Sequence, residues 1–191
     1  MFMPSKEERI ENLRRCNAEA HQLIVESLKD ALYRLLETKD IRDIRVVDLV
    51  KAAGVSRGVF YKSYYLVTDI LADDIQMIAD DVRRAMGEDI GMNWKIMLET
   101  VYRHREKIPL LLKAGMGFEI LNQINRSIDA VDNRFKLRIM AWNGIIFNGV
   151  LYWVEQGFAG DLDELAAQLT ELTTPLYNAD VAASFRDGLT I

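Results

Sequence analysis

One uninterrupted segment near the start of the chain limits the possible folds most. Residues 5–37 contain neither proline nor glycine, and apolar side chains such as Ile10, Leu13, Ala20 and Ile24 recur at helical spacing. This spacing gathers apolar side chains on one face of a helix, whereas a strand needs strict alternation. The segment therefore predicts a long amphipathic helix, or two helices in series.

The remainder of the chain shows the same preference for helix. Apolar and polar residues never alternate beyond a few positions, and only three of the 191 residues are proline. Half of the residues are apolar, which provides for a folded core and argues against disorder. We expect an all-α protein. One of its helices, over residues 69–86, is expected to turn Asp73 and Asp74 to solvent and to end at a loop over 87–93.

The net charge of −5 conceals an uneven distribution along the chain. Residues 1–67 hold 12 Lys and Arg against 10 Asp and Glu, whereas residues 68–191 hold 12 against 19. Within residues 42–62 the balance is five basic side chains against two acidic ones. Because affinity for nucleic acid depends on where positive charge lies, this short segment favours a nucleic-acid partner.

Two short helical patterns meet at Gly54, inside the basic segment. The first is about two turns long and points Leu49 inward. Ser56 is suited to cap the second, which continues over residues 57–64. Two short helices joined by a tight glycine turn predict a helix-turn-helix.

The octapeptide over residues 54–61, GVSRGVFY, closely resembles a pattern of the TetR family of transcription regulators: a glycine turn, a Ser-Arg pair and an aromatic-Tyr pair. The resemblance extends from Leu28 to Leu71. It implies a three-helix helix-turn-helix DNA-binding domain over residues 1–67, with an N-terminal helical extension. It also implies a helical effector-binding and dimerisation domain over residues 68–191. The implied partners are a palindromic double-stranded DNA operator, a second copy of the chain, and a small-molecule effector of unknown identity.

The second short helix would present its first side chains to the major groove. There the Arg57 guanidinium can fork onto guanine O6 and N7, and Tyr61 and Lys62 lie one turn further on, within reach of a phosphate or base. The alternatives are a surface ion pair of Arg57 with Asp43 or Asp48, and a packing role for Tyr61. The predicted DNA-binding residues are Arg45, Val46, Ser56, Arg57, Gly58, Val59, Tyr61, Lys62 and Ser63.

Three positions depart from the family pattern. The family usually places His and Lys where this chain has Ser63 and Val67, and a small hydroxyl residue where it has Arg45. Two functions therefore stay open. The first is a sequence-specific DNA-binding transcription regulator, a repressor released by a small-molecule effector. The second is a helical interaction protein that retains the TetR-like fold with weak or lost DNA binding.

The second domain offers two sets of apolar side chains, both of which can equally belong to the core of a single chain. Met and aromatic residues suit an irregular apolar effector. The predicted pocket consists of Trp94, Met97, Tyr102, Met116, Phe118, Met140, Trp142 and Phe147. Apolar stripes on the last two long helices suit a second copy of the chain. The predicted dimer interface consists of Phe135, Ile139, Ile146, Gly149, Trp153, Leu165, Leu169 and Leu172.

Nothing in the sequence points to an enzyme or a cofactor. The chain has one cysteine, Cys16, and two histidines, His21 and His104, without the paired spacing of a metal site or a nucleophile. Its start lacks the apolar core of a signal peptide, and no run approaches the roughly 18 apolar residues of a membrane span. We expect a cytoplasmic protein without catalytic activity, cofactor, metal or membrane partner.

Overall fold

The computed structural model describes residues 5–86, 94–126 and 133–176, and every regular element in these ranges is helical. The elements in chain order are α1 (Lys6–Thr38), a 3-10 turn (Ile41–Asp43), α2 (Val46–Ala53), α3 (Arg57–Phe60), α4 (Val67–Met86), α5 (Trp94–Arg103), α6 (Ile108–Lys113), α7 (Gly117–Asn125), α8 (Asn133–Glu155), α9 (Leu162–Thr173) and a 3-10 turn (Thr174–Leu176). The all-α prediction is confirmed for these residues. The loop predicted over 87–93 lies outside the described residues.

The chain divides into two compact units, Met1–Leu71 and Ala72–Ile191. The division falls inside α4, four residues after the boundary predicted from the sequence at residue 67.

The first segment forms one continuous helix, α1. The helix begins with a capping box, in which Ser5 Oγ accepts the backbone N–H of Glu8 and the Glu8 carboxylate accepts that of Ser5. Every residue from Ser5 to Leu23 is exposed, whereas the second half of the helix buries an apolar face. The buried side chains are Leu28, Ala31, Leu32 and Leu36.

The core of the first unit lies between the second half of α1, α2 and α3. α2 packs against α1 and α3 against α2. Leu49 of α2 and Phe60 of α3 are fully buried, as is Leu32 of α1. Burial of these side chains fixes α2 and α3 and leaves their opposite faces to solvent.

In the second unit α5 packs against α9, and both α7 and α9 pack against α8. Trp94 of α5 is buried, its indole N–H donates to Thr173 Oγ1 at 3.0 Å, and its ring lies 5.5 Å from that of Trp142. A buried indole needs such an acceptor, so these contacts join α5, α8 and α9 in a specific arrangement. No helix of the described ranges is both long enough and apolar enough to cross a membrane.

One prediction for α4 is wrong. Asp74 was expected at the surface, but its side chain is fully buried. The Nζ atom of Lys107, the residue before α6, donates to Asp74 Oδ2 at 2.8 Å. The carboxylate is tolerated in the interior because this ammonium compensates its charge. Helical periodicity does not reveal such a partner, because it lies 33 residues away in the sequence.

Candidate nucleic-acid interface

The connection between α2 and α3 is a tight turn held at both ends. Gly54 lies in the left-handed region, with φ 70° and ψ 24°, and the next N–H, of Val55, bonds to the carbonyl of Val50 at 3.0 Å. A helix that ends in this conformation favours glycine, because other residues are strained there. Ser56 Oγ then accepts the N–H of Val59 at 3.3 Å and caps α3.

α3 is shorter than the sequence predicted. It was expected over residues 57–64, but it ends at Phe60 and is followed by a turn. The chain leaves the helix because Tyr64 is buried, with its ring 6.0 Å from that of Phe60. The Asp69 carboxylate accepts the backbone N–H groups of the two residues that follow Tyr64, at 2.9 and 2.7 Å, which directs the chain into α4.

Arg57 is exposed at the first position of α3. Within the described residues it makes no ion pair, either with Asp43 or with Asp48, the two acids considered as its alternative partners. Asp48 pairs with Arg45 instead, at 3.2 Å between Arg45 Nε and Asp48 Oδ2, and this hydrogen bond holds the pKa of Asp48 below its usual range. The Arg57 guanidinium is therefore available to a ligand.

Tyr61 is partly packed and partly exposed, so its position allows either of the alternatives that the sequence left open. Its ring packs edge-on against Phe60 at 5.1 Å, yet 54% of the residue is exposed. One part of the phenol thus supports α3, while the rest is open to solvent. Lys62, the next residue, is exposed as well.

The other predicted DNA-binding residues lie on the same helices and turns. Arg45 and Val46 begin α2, and Ser56, Gly58 and Val59 belong to the cap and body of α3. Arg45, Ser56 and Gly58 are exposed, whereas Val46, Val59 and Ser63 are half-buried. Val67, a departure from the family pattern, is half-buried at the start of α4.

Sequence reasoning missed a contact between α1 and the turn after α3. His21 Nε2 lies 2.9 Å from Ser63 Oγ, a hydrogen bond between the exposed His21 and the half-buried Ser63 whose donor depends on the tautomer of the ring. The available signal was spacing alone. His21 lies three and seven residues before Ile24 and Leu28, which places it near the face of α1 that turns inward.

The predicted pocket residues of the second unit occupy different environments. Trp94, Met97 and Trp142 are buried, and Met116 and Phe147 are half-buried. Tyr102, Phe118 and Met140 are exposed. The structure brings Trp94 and Trp142 together, but it stacks Tyr102 on Trp153 at 5.8 Å.

The predicted interface residues are divided in the same way. Ile139, Trp153 and Leu169 are at most 3% exposed in the single chain, so they have almost no surface to offer a second copy. Packing within the chain accounts for these three side chains. Phe135, Ile146, Gly149 and Leu165 are half-buried, and Leu172 is 62% exposed.

No known family model matches the chain, and no curated protein matches it in sequence. Within the described ranges, no three His, Cys, Asp or Glu side chains come together in a way that would hold a metal ion.

Proposed function

We propose that this chain is a sequence-specific DNA-binding transcription regulator, in which α2, the Gly54 turn and α3 act as a helix-turn-helix. The observation that carries the proposal is the placement of Arg57. Its guanidinium extends from the first turn of a short capped helix and has no acidic partner among the described residues. A helix that enters the major groove reads bases with the side chains of this turn.

The surroundings of Arg57 support the same role. Tyr61 and Lys62 are exposed one turn further on, where a phenol and an ammonium can position the protein on phosphates. Arg45 has 78% of its side chain exposed, and its pair with Asp48 is of the weak surface type. Arg45 can therefore exchange that carboxylate for a phosphate at low cost.

A homodimer on a palindromic operator follows as the second part of the proposal, because two helices that read half-sites about 34 Å apart gain affinity and specificity together. Exposed apolar side chains on the last two long helices support such an interface. Leu137 is 79% exposed, Tyr152 57% and Leu172 62%. We assign these side chains to the interface in place of the buried Ile139, Trp153 and Leu169.

Release by a small-molecule effector is the third part. The support is chemical: the second unit carries adaptable Met and aromatic side chains, among them the half-buried Met116 and Phe147. An effector can release DNA only if it binds the DNA-free form more tightly than the DNA-bound form. Operator affinity that is equal with and without every compound that binds the second unit would reject this part alone.

Selection of binding sites from random duplex DNA tests the main proposal. The wild-type chain should enrich a palindromic sequence, and its affinity should fall steeply between about 50 and 200 mM salt. Arg57→Ala should lose about 5- to 150-fold of discrimination at one base position per half-site. Arg42→Ala is the matched control, since Arg42 is exposed in the same unit but forms two hydrogen bonds with Asp40.

Two outcomes would reject the main proposal. One is an Arg57→Ala variant with the base preference of the wild type. The other is a wild-type chain that binds no duplex at low salt, which favours the helical interaction protein instead.

A further inference from the structure

The His21–Ser63 contact is isolated on the surface of the first unit. Residues from Ser5 to Leu23 are all exposed, and within the described residues His21 makes the one hydrogen bond that links this stretch to another element. The two residues are 42 positions apart. A hydrogen bond between exposed groups adds little to stability because water replaces it readily. Its main consequence is that it places the imidazole beside the turn that follows α3.

We propose that His21 is a phosphate-binding residue of the DNA interface, oriented by Ser63 and acting beside Lys62. This inference rests on the proposed function, because it assigns a DNA contact to a residue of α1. The exposed part of α1 then contributes to the surface that α3 presents.

The chemistry of the ring supports this role. Imidazole has two nitrogens, and Ser63 engages only Nε2. The other nitrogen, Nδ1, has no hydrogen-bond partner among the described residues. In the tautomer in which the Ser63 hydroxyl donates to Nε2, Nδ1 carries the N–H and can donate it to a phosphate oxygen. Ser63 is next in sequence to the exposed Lys62, which supplies a second donor and a full positive charge.

The charges around His21 do not oppose an anion. The residues one helical turn from it on α1 are Asn17, Ala18, Ile24 and Val25, none of which is charged. On the other side, the turn contributes Ser63 and Lys62. A phosphate near His21 thus meets donors and a cation, and the nearest carboxylates along α1 are engaged elsewhere, Glu19 by Arg15 and Glu26 by Gln22.

Fluorescence anisotropy with a labelled duplex selected by the wild-type chain tests the inference over about 50 to 200 mM salt. His21→Ala should weaken binding about 3- to 10-fold, a loss typical of one charge-assisted hydrogen bond. His21→Arg should bind at least as tightly as the wild type, and its salt slope should exceed that of His21→Ala by about one. Gln22→Ala is the matched control, since Gln22 is exposed on the same helix and its side chain bonds, among the described residues, only to Glu26.

The outcomes separate this inference from the proposed function. If the wild type binds duplex DNA and Arg57→Ala loses base preference, then a His21→Ala affinity within twofold of the wild type overturns the inference alone. Equal losses in His21→Ala and His21→Arg indicate a packing role and also overturn it. A wild-type chain that binds no duplex overturns both the proposed function and the role of His21. Thermal melting of each variant should match the wild type, because the side chain is exposed.

Discussion

Replacing Lys107 by Met should destabilise the protein far more than replacing its partner Asp74. Lys107 Nζ and Asp74 Oδ2 lie 2.8 Å apart, but the two side chains differ in their access to water. The Asp74 side chain is fully buried, whereas 36% of the Lys107 side chain is exposed. Removal of the lysine leaves a carboxylate that water cannot reach. Removal of the aspartate leaves an ammonium that can turn outward on a flexible stem.

These differences set the expected magnitudes. Loss of one partner from a buried ion pair typically costs about 3–5 kcal/mol. The partial exposure of Lys107 lowers this value, because water already screens part of the ammonium charge. We expect Lys107→Met to reduce the free energy of unfolding by about 2–3 kcal/mol. Asp74→Leu, which leaves no charge trapped inside, should cost about 1 kcal/mol or less.

Urea unfolding followed by circular dichroism measures the stability of both variants and of the double variant. The double variant should lose about as much free energy of unfolding as Asp74→Leu, because it no longer contains the buried carboxylate. Lys95→Met is the control, since Lys95 and Asp163 form an ion pair with both side chains more than half exposed. Its unfolding midpoint should match that of the wild type. Equal losses in Lys107→Met and Asp74→Leu, or a Lys107→Met variant as stable as the control, would refute the argument from burial.

Three further substitutions test packing, the turn and the acid response. Gly149→Ala places a methyl group 2.8 Å from Leu169 Cδ2. Overpacking typically costs about 1–3 kcal/mol of stability, which outweighs a gain in helix propensity of about 1 kcal/mol. The melting midpoint should therefore fall, and a rise would contradict the close approach. Gly54→Ala places an alanine at φ 70°, where its methyl group meets no neighbouring atom but its backbone is strained. Urea unfolding should show a free energy of unfolding lower by about 1–2 kcal/mol. Unchanged stability would mean that the turn relaxes. The hydrogen bond from Arg84 lowers the pKa of Asp81 in the folded protein. The ionised carboxylate therefore stabilises the fold above the pKa of the unfolded chain, and this stabilisation is lost as the pH falls through the lower pKa of the folded state. Asp81→Asn should make the free energy of unfolding less sensitive to pH below about 4, and an unaltered pH profile would refute this.

The sequence was sufficient for features that depend on neighbours a few positions away. Helical spacing over residues 5–37 predicted one long helix or two in series, and the structure shows a single helix, Lys6–Thr38. Gly54 and Ser56 were correctly predicted to end one short helix and cap the next, because both roles depend on local backbone geometry. The placement of Arg57 on the surface follows from the same local pattern.

Features that depend on distant residues were not predictable in this way. α3 ends early because Tyr64 packs into the core and Asp69 caps the next segment, and both effects override the helical pattern over 57–64. Asp74 is buried because of a lysine 33 residues away, and His21 is oriented by a serine 42 residues away. Periodicity gives the face of a helix on which a residue lies, but not which element packs there.

The distribution of ion pairs explains how a chain with net charge −5 can present a positive surface at one place. Of the five basic residues in 42–62, Arg42 and Arg45 are engaged by carboxylates, at 2.9 Å to Asp40 and 3.2 Å to Asp48. The other three have no ion pair among the described residues, and they are Lys51, Arg57 and Lys62. Two of these three lie in α3 or directly after it. The charge without an ion pair is thus concentrated around α3, and under the proposed function it would draw a duplex toward Arg57 and Tyr61.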